Sequence, residues 1–213
     1  MIQQRVDGKD LKDKIKILLS FFTPSKIYYY GNYTQVKVRE DVIEFTQVNI
    51  IGEAINTGLL EVSVQGEHYL EEEKVINVPT EELKKIVNQI PEEVNDIVVA
   101  DNYLAIISYD KEITIPVVDS DVPRNLIENH ELIKQVDGSV IDIKLLNKAI
   151  NEVNHATKGV IVSYDNYAIY LENESVYVNK GVRITRQYLT EPLELTEGLY
   201  LPLYMVPVLK QIS

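Results

Sequence analysis

Cysteine is absent from the chain. That excludes disulfides, thiolate metal sites and cysteine nucleophiles, and it suits a reducing cytoplasm. Histidine is almost as scarce. His68, His130 and His155 lie far apart without ligand-like spacing, so each reads as a surface or structural residue. The nine glycines are scattered, and neither a GxGxxG run nor a Walker-type loop occurs. No run approaches the roughly 18 uninterrupted apolar residues of a membrane span. The opening MIQQRVDGKD lacks the charged-then-apolar order of a secretion signal. These absences point to a non-enzymatic protein with no cofactor, no metal and no membrane partner.

Positive charge is also short: 21 lysines and arginines face 33 carboxylates, a formal net charge of −12. Such a sum argues against a protein coated in positive potential, but it does not say where the charges sit. The run Glu71-Glu72-Glu73 reads as a solvated hairpin or strand end. The fourteen tyrosines, including Tyr28-Tyr29-Tyr30, read as strand residues rather than stacking platforms, because tyrosine favours strands.

What is present is repetition. A chain of 213 residues is long enough for two ordinary domains and too short for three. Residues 75–118 written above 139–182, an offset of 64, place Asp101-Asn102-Tyr103 on Asp165-Asn166-Tyr167. Lys84 then falls on Lys148, Ile86 on Ile150, Ile97 on Ile161 and Val98 on Val162. In 80–90, Leu83, Ile86, Val87 and Ile90 form a helical apolar stripe, with Thr80 as its cap and Glu81 and Glu82 complementing the dipole. In 142–155, Leu146, Ala149, Ile150 and Val153 do the same after Asp142. A third stripe, Leu11, Ile15, Leu18, Leu19 and Phe22, marks a helix over 10–22. Strands are predicted at 26–30, 34–38, 42–51 and 55–64, then at 96–100, 103–108, 112–118, 159–164 and 167–171. Near the end, Leu201-Pro202 resembles Val78-Pro79, with Val206 and Leu209 matching Leu83 and Ile86. The chain therefore reads as a helix-plus-strands unit used about three and a quarter times. Chance similarity between two α+β segments is the competing reading.

This arrangement resembles the DNA sliding clamp (processivity factor) family: bacterial DNA polymerase III beta subunits, phage clamps and proliferating cell nuclear antigen. The most specific passage is 75–123, a strand, a Pro-led helix, paired strands and a linker ending in an acidic-Pro turn. The second is 139–158, SVIDIKLLNKAINEVNHATK. A third is Asn179–Ile184, similar to the turn that lines the peptide pocket of bacterial clamps, where Gly181, Arg183 and Ile184 match. The resemblance implies an α+β fold of repeated β-α-β-β-β units, with helices on one face of antiparallel sheets. It implies a first clamp domain over 1–120, a connector over 121–138, and a second domain over 139–213 that reads as incomplete. The chain is then either a fragment or a shortened clamp-like protein. In the connector, Leu126, Ile127, Leu132 and Ile133 either overlie a partner-peptide pocket or pack the domain junction.

In clamps the helices line the hole, so basic helices are expected inside an acidic protein. The segments 9–22, 80–90, 142–158 and 203–213 together carry +4, which leaves −16 on the remainder. The resemblance places Lys9, Lys12, Lys16, Lys84, Lys85, Lys144, Lys148, Lys158 and Lys210 toward DNA. Lys9, Lys12 and Lys16 share one helix face. Lysines populate any solvated helix face, which is the bland reading of the same residues. Lysine is a hydrated point charge rather than a bidentate clamp, which suits contacts that are weak, sequence-independent and salt-dependent. The implied partners are double-stranded DNA, a DNA polymerase and a clamp loader, the last two through short peptide motifs. A homo-oligomeric ring when full length is implied, in the cytoplasm of a bacterial cell or phage-infected host. The alternative function is a clamp-like interaction module, an inhibitor or scaffold, that does not encircle DNA.

Overall fold

The structure is a computed structural model that describes residues 1–22, 24, 29–51, 56–119, 142–152, 167–180, 184–195, 197–202 and 205–212. Backbone contacts divide the chain into two compact units, Met1–Ile50 with Thr57–Lys134, and Ile51–Asn56 with Gln135–Ser213. The connector 121–138, Lys158, Gly181, Arg183, and the predicted strands at 159–164 and 26–28 lie outside the described residues.

In the N-terminal unit, β1 (Ile2–Asp7) alternates buried and exposed residues and leads into α1 (Gly8–Phe21). Asp7 caps α1: its backbone is extended, and Oδ1 accepts from the Asp10 amide at 2.7 Å. Leu11, Ile15 and Leu18 are fully buried along one stripe, as their spacing predicts. A 3-10 turn over Tyr29–Asn32 stands where a strand is expected, and β2 (Tyr33–Ile51) follows. Thirteen residues of straight strand would separate Thr34 from Gln47 by roughly 43 Å. Their side-chain oxygens are 3.0 Å apart, so β2 doubles back near Glu40, the strand's only positive-φ residue, at 48°. The two arms coincide with the predicted strands 34–38 and 42–51. The reversal also explains why the residues of the hydrophobic core switch from even (Val36, Val38) to odd (Ile43, Phe45).

Next come β3 (Asn56–Pro79) and α2 (Thr80–Ile86), which a 3-10 turn extends over Val87–Gln89. Thr80 does not cap α2. It is the first helical residue, it is fully buried, and its hydroxyl donates to Gln47 Oε1 at 2.8 Å. Gln47 Nε2 in turn donates to the carbonyls of Gly31 at 2.7 Å and Val48 at 2.9 Å. This closed polar knot pins the start of α2 to β2. Strands β4 (Val94–Val99), β5 (Tyr103–Ile107) and β6 (Glu112–Pro116) complete a six-stranded sheet in the order β2-β3-β1-β4-β5-β6. Pro116 ends an edge strand, where its missing N–H costs no ladder bond. Helices α1 and α2 lie alongside each other and bury Leu11, Ile15, Leu18 and Leu83 in one core with the sheet.

The C-terminal unit opens with α3 (Ile143–Glu152), capped by Asp142, whose Oδ1 accepts from the Lys144 amide at 2.7 Å. Strands β7 (Tyr167–Leu171), β8 (Ser175–Lys180), β9 (Ile184–Tyr188) and β10 (Leu199–Pro202) form a four-stranded sheet in the order β10-β7-β8-β9. Helix α4 (Val206–Gln211) carries Pro207 in its first turn, where amides have no intrahelical acceptor. It lies beside α3. Leu146, Ile150, Ile169, Leu171, Val176, Val178 and Leu209 form this unit's core.

The repeat is visible in the hairpins. Strand β5 pairs with β6 from Tyr103↔Pro116 to Ile107↔Glu112, and β7 pairs with β8 from Tyr167↔Lys180 to Leu171↔Val176, each residue advanced by 64. The closing bonds repeat too: Ser108 N to Lys111 O and Glu172 N to Ser175 O, both 2.8 Å. The buried face does not follow. Leu104, Ile106, Ile113 and Ile115 point inward in one hairpin, but Ile169, Leu171, Val176 and Val178 in the other, a shift of one residue. The helices are offset by 63 instead, with buried Leu83 and Val87 corresponding to Leu146 and Ile150. The alignment at 64 is therefore right for the turns and one residue out for helix phase.

Candidate nucleic-acid interface

Each unit presents a pair of helices whose apolar stripes enter the core, which leaves their lysines on the side away from the sheet. On α1, Lys9, Lys12 and Lys16 lie opposite the Leu11, Ile15 and Leu18 stripe. On α2, Lys84 and Lys85 are exposed. On α3, Lys144 and Lys148 border an open depression with Asn147, Asn151 and Glu152. On α4, Lys210 stands exposed in the last turn, where a cation suits the helix dipole. Lys9, Lys12, Lys16, Lys84 and Lys85 thus belong to one helix pair, and Lys144, Lys148 and Lys210 to the other.

Most of these lysines have carboxylate partners. Within helices, Lys16 pairs with Asp13 at 3.8 Å, Lys84 with Glu81 at 3.8 Å and Lys85 with Glu82 at 2.7 Å. The hydrogen bond to Glu82, and then its charge, raise the Lys85 pKa. Two partners come from bends outside the helices: Glu92 on Lys12 at 3.1 Å and Glu191 on Lys148 at 2.6 Å. The Lys12 stem is largely covered, with its side chain 15% exposed. Lys9, Lys14 and Lys144 have no carboxylate within ion-pair distance among the described residues. Exposed pairs of this kind contribute little to stability, so a competing anion can exchange with them.

Glu92 reports how the α1 lysines converge. Its carboxyl is held below the ordinary glutamate range, first by the hydrogen bond from Lys12, then by the Lys12 charge, with Lys9 and Lys16 adding smaller pulls. Gly8 makes that approach feasible. Its amide donates to Glu93 O at 2.9 Å, and a Cβ there would collide with the carbonyls of Pro91 and Glu93 and the Asn95 amide. A count of helix charges does not include these loop glutamates, because only tertiary folding brings residue 92 to residue 12.

A second feature was also missed. Tyr200, Tyr170, Tyr177 and Arg186 are directly opposite one another on β10, β7, β8 and β9, forming one row across the C-terminal sheet. The Arg186 guanidinium lies 5.0 Å from the Tyr177 ring centre and 4.5 Å from that of Tyr188. Tyr188 and Tyr200 are well exposed, so the row faces away from the core. The signal was legible: Tyr170 and Tyr177 alternate with the apolar residues Ile169, Leu171, Val176 and Val178. Ile184, at the start of β9, is exposed as well. Among the described residues no three His, Asp or Glu side chains gather as a metal site, and no helix is long and apolar enough to cross a membrane.

No protein-family model matches the chain, and no curated protein matches it. Solved structures do. A putative DNA polymerase III beta subunit from Eubacterium rectale matches with a TM-score of 0.73 and 10% identity, over 100% of this chain and 57% of that one. The DNA polymerase sliding clamp of Bacillus subtilis matches with a TM-score of 0.69 and 14% identity, over 100% of this chain and 56% of that one. The chain has the sliding-clamp fold. The Helicobacter pylori beta clamp bound to a DNA ligase peptide matches with a TM-score of 0.58 and 13% identity, over 98% of this chain and 58% of that one. The chain thus spans a little over half the length of the clamps it matches.

Proposed function

We propose that this chain is a non-catalytic sliding clamp, or part of one, that surrounds duplex DNA and tethers a polymerase to it. The observation that carries this reading is the pair of lysine-bearing helices on one side of each antiparallel sheet, in a chain of net charge −12. Contacts from Lys9, Lys12, Lys16, Lys84, Lys85, Lys144, Lys148, Lys158 and Lys210 to phosphates are sequence-independent. Retention comes from enclosure in a homo-oligomeric ring formed by the full-length protein, with domains over 1–120 and 139–213 and a connector between them. Polymerase and clamp loader dock through short peptide motifs, for which Gly181, Arg183 and exposed Ile184 supply part of the pocket. The clamp solved with a DNA ligase peptide supports that mode of partnership. The site of action is the cytoplasm of a bacterial cell or phage-infected host.

The rival reading, a clamp-like inhibitor or scaffold that never encloses DNA, draws support from the carboxylates on most helix lysines. Retention on DNA separates the two. A clamp stays on circular duplex after loading and leaves when the circle is cut. Equal retention on circular and linear DNA, or none on either, contradicts enclosure.

A further inference from the structure

We propose that Glu92 and Glu191 are built-in counter-ions of the lysine-bearing helices, occupying places that DNA phosphates would take and so holding the attraction weak. This rests on the reading of those helix faces as DNA-facing. The two pairs differ from the i,i+3 pairs that any charged helix shows. Glu92 sits in the bend before β4, 80 residues from Lys12, and Glu191 in the bend after β9, 43 residues from Lys148. Among the described residues, each compact unit contains one such long-range pair to a helix lysine, made by a glutamate outside its helices. The approach of Glu92 is built in, because Gly8 lets the 91–95 bend close onto the start of α1. Asn95 Nδ2 fixes the bend by donating to Pro91 O at 3.1 Å and Glu93 O at 2.7 Å.

A carboxylate and a phosphate oxygen compete for an ammonium: its three N–H donors can reach both, but two anions held against one cation repel each other, so one gains the contact at the other's expense. A phosphate arriving at Lys12 or Lys148 displaces an intramolecular anion instead of gaining a bare cation. The freed glutamate then stands beside the DNA as a like charge. Both effects lower affinity and flatten its salt dependence, since fewer phosphate charges are neutralised per contact. The glutamates remain exchangeable, because the Glu92 side chain is 67% exposed and that of Glu191 55%.

The test is fluorescence anisotropy of a labelled duplex oligonucleotide with the full chain across a salt series. The variants are Glu92→Gln, Glu191→Gln, both together, and Glu72→Gln as a control of equal charge change on β3. Each of the first two should tighten binding roughly three- to tenfold at low salt and steepen the salt slope by about one phosphate contact. Glu72→Gln should give less than about a twofold change, as expected for an exposed charge on β3 that pairs with no helix lysine among the described residues. The gain from Glu92→Gln should vanish in a Lys12→Gln background. If wild type binds with salt dependence but Glu92→Gln and Glu191→Gln gain no more than Glu72→Gln, the counter-ion role is overturned and the DNA-facing reading survives. If neither wild type nor the double variant binds, the DNA-facing reading fails, and the counter-ion role fails with it.

Discussion

Asn147 on α3 donates through Nδ2 to the backbone carbonyl of Leu209 on α4 at 2.8 Å, and the contact is buried. It is a direct polar tie between the two helices of the C-terminal unit, and it satisfies a carbonyl near a helix end. Asn147→Ala leaves that carbonyl unpaired and should cost about 1–2 kcal/mol, read as a lower midpoint in urea unfolding. An unchanged midpoint would show that the helices are held by apolar packing alone.

The bend at 91–95 gives a second prediction. Gly8→Ala forces a Cβ into the Pro91 and Glu93 carbonyls, an overpacking that should cost about 1–3 kcal/mol. The same change should draw Glu92 away from Lys12. Glu92 titrates below its ordinary range because Lys12 bonds and attracts its charged form. The stabilisation it brings is therefore present above the ordinary glutamate pKa and lost as pH falls through the lowered folded value. Carboxyl-carbon NMR should show the Glu92 midpoint rising toward the ordinary value in Gly8→Ala and in Lys12→Gln. Asp101, held low by the hydrogen bond and charge of Lys74, should be unmoved in both.

Gln47 provides a third. Its side chain links Thr34, Thr80 and two backbone carbonyls inside the N-terminal unit. Gln47→Leu matches its size but takes the side-chain donor from the Gly31 and Val48 carbonyls and leaves the Thr34 and Thr80 hydroxyls only each other. It should destabilise by about 1–3 kcal/mol in urea unfolding. A neutral effect would mean that the hydroxyls of Thr34 and Thr80, 3.0 Å apart, satisfy each other.

The helices were legible in the sequence because their signal is local. Leu11, Ile15 and Leu18 repeat with the helical period, and Asp142 stands where a cap belongs; Asp7, which caps α1, lies three residues before the start at 10 that the stripe marks. The order of those helices and the Val- and Ile-rich strands between them is also what carries the resemblance to sliding clamps. What failed was anything set by partners distant in sequence. Thr80 looked like a cap because it follows Pro79, yet Gln47, 33 residues away, claims its hydroxyl. The alignment at 64 rests on Asp-Asn-Tyr, whose tyrosines, Tyr103 and Tyr167, open β5 and β7. Turn position does not dictate which side of a strand is buried, so Leu104 and Ile169 fell one residue out of step. The lysine faces were found by counting, whereas Glu92 and Glu191, which alter what those faces offer an anion, lie in irregular bends with no periodic signal.

The lysine-bearing faces as the DNA-contacting surface are tested most directly by reversing four charges together: Lys9, Lys16, Lys144 and Lys148 to Glu. Binding of a duplex oligonucleotide is then measured from low to moderate salt, with circular dichroism confirming the fold. The expected result is salt-dependent binding by wild type, with log affinity falling linearly against log salt, and loss of at least about a hundredfold in affinity in the reversed variant. Wild-type affinity retained after all four reversals, with the fold intact, would contradict the placement of DNA against these helices.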